Sequence, residues 1–175
     1  MEKEQEGTDC RDFSLRKVTE ADAAAIAEIY NYYIEKTTVS FETEPLSAAD
    51  MLSRIKDIAA RFPYFVATQN GTVAGYCYAH PWKERAAYCH TFEVTIYTDP
   101  KHKRRGMGKM MMGRLIEACR DMGNCHALIA CITEENHDSI AFHKRMGFEK
   151  VSSFKDVGKK FGRWLDVTDM EMVLR

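Results

Sequence analysis

The stretch TIYTDPKHKRRGMGKMMM, residues 95–112, decides the fold because it joins three kinds of local structure. It opens on β-branched and aromatic residues, which are typical of a strand, and Asp99-Pro100 ends that strand. Residues 101–105 are all Lys, Arg or His, and after Gly106 the apolar residues recur at helical spacing. A strand, a basic turn and a helix N-terminus in succession predict an α/β chain.

The basic turn has the features of a phosphate-binding site. Unpaired backbone N–H groups give a helix N-terminus a partial positive charge, so it binds anions. Gly106 and Gly108 let a ligand approach the backbone without meeting a Cβ atom. Lys103, Arg104 and Arg105 offer charge-assisted hydrogen bonds. A solvated basic turn that binds nothing is the alternative that the motif alone leaves open.

Two familiar nucleotide-binding signatures are excluded at this turn. A Walker loop requires Ser or Thr after its lysine, and Met110 follows Lys109. A dinucleotide fingerprint requires a small residue at its third position, where Met111 stands.

The overall composition limits the classes of partner. The 175 residues include 25 Lys and Arg against 26 Asp and Glu, so no global charge attracts nucleic acid or an anionic membrane. The charged N-terminus lacks the apolar core of a signal peptide, and no apolar run is long enough to span a bilayer. We expect a cytoplasmic protein with a flexible tail over residues 1–12 and a single domain over residues 13–175.

Metal chemistry is not indicated. The 6 cysteines form no C-x-x-C pair, and we expect them to be free thiols, with a cysteine nucleophile as the minor alternative. The 6 histidines show no ligand-like pairing with acidic residues. We therefore expect no metal cofactor.

Local patterns predict the remaining elements. Capping boxes at Thr19 and Ser47 each begin a helix, and Asn70-Gly71 predicts a hairpin turn. Further helices follow Gly106 and Asn136. The predicted strands are residues 13–18, 64–68, 72–80, 91–98, 127–132, 151–154 and 166–174.

Two of these motifs resemble those of the GNAT N-acetyltransferases. The basic turn with R-G-M-G is similar to the family's [QR]-x-x-G-x-[GA] signature, although Lys103 stands where Gln or Arg is usual. A second family element is matched by Asn136, Ser139, His143, Gly147 and Phe148. The resemblance implies a mixed α/β fold, in which a mostly antiparallel twisted sheet of six to seven strands has helices on both faces.

Within that superfamily, the chain resembles the phosphinothricin and methionine sulfone or sulfoximine N-acetyltransferases. The matching segments are PWKERAAYCHTFEVTIY, TTVSFETEP and WLDV. Three residues depart from the subfamily pattern: Glu42 stands where some relatives have Arg, and Phe161 and Leu165 replace histidines. These changes leave the reaction type alone but make the expected acceptor pocket less basic.

The resemblance also implies roles for individual residues. Glu93 is the expected general base, which takes a proton from an amine. His143 is a candidate acid for the leaving thiolate, or a histidine packed in its helix. The expected acetyl-CoA contacts are Ile96, Tyr97, Thr98, Lys103, Arg104, Arg105, Gly106, Met107, Gly108, Lys109, Asn136 and Ser139. The expected acceptor contacts are Phe41, Arg85, Tyr88 and Thr91.

The function that the sequence favours is acetyl-CoA-dependent N-acetylation of a small amino-acid-like amine by a homodimer, with neither nucleic acid nor membrane as a partner. Two alternatives stay open. One is acetylation of a peptide or protein N-terminus, which predicts an open groove and no anion-directed Arg85. The other is a non-catalytic sensor that binds acyl-CoA, which does not need Glu93.

Overall fold

The structure, a computed structural model, describes residues 13–102 and 106–174. The predicted tail and the cations Lys103, Arg104 and Arg105 lie outside the described residues. In the described part, the strands and helices in chain order are β1 (Ser14–Lys17), α1 (Ala23–Lys36), α2 (Ala48–Ala59), β2 (Tyr64–Gln69), β3 (Thr72–Pro81), β4 (Thr91–Thr98), α3 (Met107–Asp121), β5 (Ala127–Thr133), α4 (His137–Arg145), β6 (Glu149–Lys150), β7 (Phe154–Lys160) and β8 (Arg163–Val173).

The sheet confirms the expected mixed, mostly antiparallel class. Its order is β1-β2-β3-β4-β5-β8-β6, with β7 also paired to β8, and β4 with β5 is the parallel pair among the described strands. The eight described strands exceed the six to seven expected. The prediction of a strand over residues 151–154 was wrong, because β6 ends at Lys150 and β7 begins at Phe154. β7 is largely exposed, so it has no alternation of apolar and polar residues that would reveal it.

Local chemistry explains where the predicted elements begin. Ser47 Oγ accepts the backbone N–H of Asp50, whose carboxylate accepts the Ser47 N–H in return, so α2 begins with a complete capping box. Asn70 and Gly71 have φ angles of 50° and 80°, as a tight hairpin turn between β2 and β3 requires.

Two apolar clusters cover the two faces of the sheet, as expected. On one face, α3 buries Met111 and Leu115 against strand residues that include Phe92. On the other face, α1 and α2 bury Ile26 and Ile55 against β2 and β3.

No helix in residues 13–102 or 106–174 has the length and apolar character that a membrane span needs.

The parallel strands β4 and β5 separate after a short common stretch. They pair only from Thr91 with Ala127 to Glu93 with Ile129. The second half of β4 continues to pair with β3 up to Thr98. The separation leaves one edge of β4 without a neighbouring strand from residue 94 onward. Two cavities border this edge of β4.

Candidate active site

A cavity of about 510 Å³ opens where β4 and β5 separate. Strand residues from both sides line it, among them Glu93 and Thr95 from β4 and Cys131 from β5. Loop 37–46, the irregular segment between α1 and α2, supplies its outer wall through Val39, Ser40, Phe41 and Glu42. The lining mixes aromatic, hydroxyl and carboxyl groups, which suits a small polar ligand.

Glu93 places its carboxyl group in this cavity. It lies within β4 between Phe92 and Val94, which are buried on the opposite face of the sheet, so the strand alternation turns Glu93 toward the cavity. Burial, with a smaller contribution from the nearby Asp169 carboxylate, raises the pKa of Glu93 to about 7. A carboxyl group with that pKa is well matched to proton transfer near neutral pH.

A second, larger cavity of about 970 Å³ forms a groove between the end of β4, the start of α3 and one face of α4. All of the predicted acetyl-CoA contacts that the structure describes line this groove: Ile96, Tyr97, Thr98, Gly106, Met107, Gly108, Lys109, Asn136 and Ser139. The three remaining predicted contacts are the cations that lie outside the described residues.

The start of α3 is shaped for close approach to a ligand. Gly106 is the N-cap residue, with a left-handed φ of 76°, and it offers no side chain to the helix N–H groups. Those N–H groups are therefore available to an anion in the groove. A Cβ atom on Gly108 would lie 3.4 Å from the Phe142 ring, which is ordinary van der Waals contact, so α4 lies close to the start of α3 at this position.

Asn136 and Ser139 line both cavities. The Asn136 side chain accepts the Ser139 N–H at 3.2 Å and so caps α4. The helix predicted to follow Asn136 is confirmed, and the contact of Asn136 with a coenzyme stays a prediction.

His143 is buried where α4 meets the smaller cavity. Its Nδ1 lies 2.9 Å from the Ser139 carbonyl oxygen. Because a carbonyl can only accept, Nδ1 carries the hydrogen, and the buried Nε2 has no partner among the described residues. Burial lowers the pKa of His143, so its neutral form predominates near pH 7.

Loop 37–46 is anchored from several directions. Both carboxylate oxygens of Glu42 accept hydrogen bonds from the Arg54 guanidinium, at 2.5 and 3.0 Å. The Tyr30 hydroxyl donates a third hydrogen bond to the Glu42 carboxylate, at 2.9 Å. The ammonium of buried Lys160, on β7, donates to the Ser40 carbonyl at 2.6 Å. These contacts hold the outer wall of the cavity in place.

The predicted acceptor contacts are only partly brought together. Phe41 lines the smaller cavity, whereas Arg85, Tyr88 and Thr91 are not among its lining residues. Arg85 is exposed, and the Tyr88 ring packs edge-on against Trp82 at 5.3 Å. Arg85 and Tyr88 therefore do not line the cavity of the single chain.

Several lining residues were missed by sequence reasoning. Tyr78 and His80 on β3 reach the smaller cavity, as does Tyr30 of α1. Arg145 lines the groove. One signal in the sequence could have identified Arg145: helical spacing of i, i+3, i+4 and i+7 places four residues on one face of α4. All four line the groove: Asp138, Ala141, Phe142 and Arg145. The β3 residues lie next to the predicted base only because β3 pairs with β4, which local sequence does not reveal.

In residues 13–102 and 106–174, no group of three or more His, Cys, Asp and Glu side chains is arranged to hold a metal ion. The described cysteines, Cys77, Cys89, Cys119, Cys125 and Cys131, are free thiols.

Residues 15–168 match the family model described as Acetyltransferase (GNAT) domain. The chain is 35% identical over 162 residues to the L-amino acid N-acyltransferase MnaT of Escherichia coli, covering 92% of this chain and 94% of the relative. It is 36% identical over 157 residues to a phosphinothricin N-acetyltransferase of Streptomyces viridochromogenes, and the match covers 90% of this chain and 85% of the relative.

A solved structure gives the same result at the level of the fold. The phosphinothricin acetyltransferase of Sinorhizobium meliloti, crystallised with acetyl-CoA, superposes with a TM-score of 0.89 at 35% identity, covering 93% of this chain and 89% of that one. The motifs, the sheet with its separated parallel strands and these relatives agree. The chain belongs to the GNAT acetyltransferase family.

Proposed function

We propose that this protein transfers the acetyl group of acetyl-CoA to the primary amine of a small amino-acid-like acceptor. One observation carries the proposal: the cavity that holds Glu93 shares Ile96, Tyr97, Asn136 and Ser139 with the groove at the start of α3. An acyl thioester in the groove and an amine in the cavity therefore meet along β4.

The groove is suited to the coenzyme. The open N–H groups at the start of α3 would bind its diphosphate, with Lys109 and Arg145 nearby as cations. Lys103, Arg104 and Arg105 stay predicted contributors. The unpaired edge of β4 over Ile96–Thr98 would receive the pantetheine arm in the manner of an added strand.

The chemistry is direct transfer. Glu93 takes a proton from the ammonium group of the acceptor, which leaves a neutral amine. The amine nitrogen attacks the thioester carbonyl, a C–N bond forms, the C–S bond breaks, and the second proton of the nitrogen passes to the departing coenzyme A thiolate. Holding both reactants together at the β4 edge supplies much of the acceleration.

His143 stays a candidate for the protonation of the thiolate. It would have to be charged to donate a proton from Nε2, and burial opposes that charge. Its neutral Nε2 is able to accept a hydrogen bond from a water molecule, which would itself donate to the thiolate.

The acceptor class is supported by the relatives, whose names specify L-amino acids and phosphinothricin. Arg85 stays a predicted partner of an acceptor carboxylate, although it does not line the cavity of the single chain. No Lys or Arg is among the described residues that line that cavity.

The test combines binding with turnover. We expect calorimetry to detect acetyl-CoA binding, and a thiol-release assay over an amino-acid panel to detect transfer. Glu93→Gln should lower kcat/KM by ~10²- to 10⁴-fold without changing acetyl-CoA affinity, because only the proton acceptor is removed. Binding without turnover on any amine would favour the sensor, and turnover on peptides alone would favour the N-terminal alternative.

We further propose a homodimer in the cytoplasm. The hairpin of β7 and β8 exposes four large apolar side chains, Phe154, Val157, Phe161 and Trp164, which supports burial of this surface against a second copy. The cytoplasmic location stays a prediction from the sequence.

A further inference from the structure

His80 lies directly opposite the proposed base. The antiparallel register of β3 and β4 pairs His80 with Glu93, and both side chains line the same cavity. The distance from His80 Nε2 to Glu93 Oε1 is 3.9 Å. That separation is longer than a hydrogen bond, but one water molecule or a small side-chain rotation can connect the two atoms.

The tautomer of His80 is fixed by the backbone. Its Nδ1 lies 3.0 Å from the Pro81 carbonyl oxygen, which can only accept, so Nδ1 carries the hydrogen. The lone pair of a neutral imidazole is then on Nε2, the atom that faces Glu93. The pair is arranged to move a proton from the carboxyl group to the imidazole.

The side chains of His80 and Glu93 are almost equally exposed, at 29% and 28%. β3 is buried over Val73–Cys77, and it becomes exposed at Pro81, the residue after His80. An acceptor that fills the cavity covers Glu93 from the open side. His80, which β3 places next to the exposed Pro81, then offers the carboxyl group a second route to bulk water.

We infer that His80 is the proton-relay residue of this site, which resets Glu93 after it has taken the proton of the acceptor ammonium. The inference rests on the proposed function. The O–H bond of protonated Glu93 breaks and an N–H bond forms on His80 Nε2. The imidazolium then releases that proton to water, so one proton leaves for each amide formed and the other stays with the thiol.

The surroundings of the pair favour a transient imidazolium. Burial lowers the pKa of His80 while it raises that of Glu93, so His80 passes the proton on and does not keep it. The other titratable groups around the pair are Tyr30, Glu42, Tyr78, Tyr97, Cys131, His143 and Asp169. Of these, Asp169 raises the pKa of Glu93 by charge repulsion and so favours proton uptake by Glu93.

The test is His80→Asn, whose amide nitrogen can keep the Pro81 bond while the Nε2 base is lost. We expect kcat to fall by ~10- to 100-fold, with acetyl-CoA affinity unchanged and with recovery when free imidazole is added. His90→Asn is the matched control, because His90 also binds a backbone carbonyl through Nδ1, at 2.7 Å from Asn124, but does not line the cavity. Wild-type kcat in His80→Asn, or a loss that imidazole does not restore, would overturn the inference.

A measurement without acceptor separates this inference from the proposed function. The Glu93 carboxyl carbon is followed by NMR through a pH titration in the wild type and in His80→Asn. We expect the midpoint to move to lower pH in the variant, because the imidazole that accepts from protonated Glu93 is gone. Identical midpoints would contradict the pairing of His80 with Glu93, whereas absent turnover by the wild type with a shifted midpoint would contradict the proposed function and leave that pairing intact.

Discussion

Glu93 combines a functional gain with a cost in stability. The Glu93 side chain retains 28% exposure, and burial, with a smaller contribution from the Asp169 charge, raises the pKa of Glu93 from the usual 4.5 to about 7. Between those two pH values the folded protein binds this proton more tightly than the unfolded chain does. The free energy of unfolding therefore falls as pH rises through this range.

We predict that Glu93→Gln is more stable than the wild type in alkaline solution. The difference in the free energy of unfolding should grow by about 1–2 kcal/mol between pH 5.5 and 8.5, because Gln carries no charge to be buried. Urea unfolding at the two pH values measures it. The matched control is Glu28→Gln, at an exposed position of α1. A constant difference across this range would contradict the pKa shift of Glu93.

The same carboxyl group sets the pH dependence of activity. The rate should rise with pH as Glu93 loses its proton, with a midpoint near pH 7, because only the carboxylate accepts the amine proton. A profile of kcat/KM against pH, taken with a saturating level of acetyl-CoA, tests this. A rate that stays flat between pH 6 and 8 would be inconsistent with Glu93 as the base.

At the scale of elements, loop 37–46 depends on a glycine in a neighbouring strand. A Cβ atom on Gly158 of β7 would overlap the Phe41 ring and lie 2.7 Å from its Cζ atom. The half-exposed ring can swing away, so the strand itself need not be disrupted. The cavity wall and β7 are therefore fitted to each other at this position.

We predict that Gly158→Ala raises the KM for the acceptor several-fold while acetyl-CoA affinity stays the same. Steady-state kinetics with calorimetry measures both. Gly113→Ala is the contrasting variant: it lies inside α3 with no heavy atom within 4 Å of its added Cβ. Gly113→Ala should raise the free energy of unfolding by about 0.5–1 kcal/mol and leave the KM for the acceptor and the affinity for acetyl-CoA unchanged. Equal effects of the two variants on KM would count against this account of the wall.

The pair of Glu42 and Arg54 links the same loop to α2. In Glu42→Gln the guanidinium of Arg54 loses its carboxylate partner beside the cavity. Acceptors with an anionic side chain should then gain ~10-fold in kcat/KM relative to neutral ones such as methionine. Glu44→Gln, at an exposed position in the same loop that does not line the cavity, is the control. An unchanged ratio would show that Glu42 does not influence selectivity.

For the whole molecule, the exposed apolar surface of β7 and β8 is the feature to test. Phe161 and Trp164 are each 59% exposed, which is a large apolar area for water to contact. We predict that Trp164→Glu converts a dimer into a monomer, as measured by sedimentation velocity. Tyr32→Glu, at an exposed position of α1, should leave the sedimentation coefficient unchanged. A wild type that sediments as a monomer would refute the homodimer.

The sequence by itself determined the family and most of the elements, although it did not reveal β6 and β7. Local sequence predicts the helix starts, the hairpin turn and β4, because a capping box or an Asn-Gly turn requires only neighbouring residues. The predicted groove residues Ile96, Gly106 and Asn136 belong to short motifs, and the structure places them along one groove. Short motifs are readable because their geometry is set within a few residues.

Tertiary structure alone decided what surrounds Glu93. His80 reaches it through strand pairing, Asp169 acts on it from β8, and Glu42 joins the cavity from a loop tied to α2. It also left Arg85 outside the cavity of the single chain. These relations depend on burial and on register between distant segments. A pKa raised by desolvation and a histidine facing a carboxylate exist only once the chain has folded.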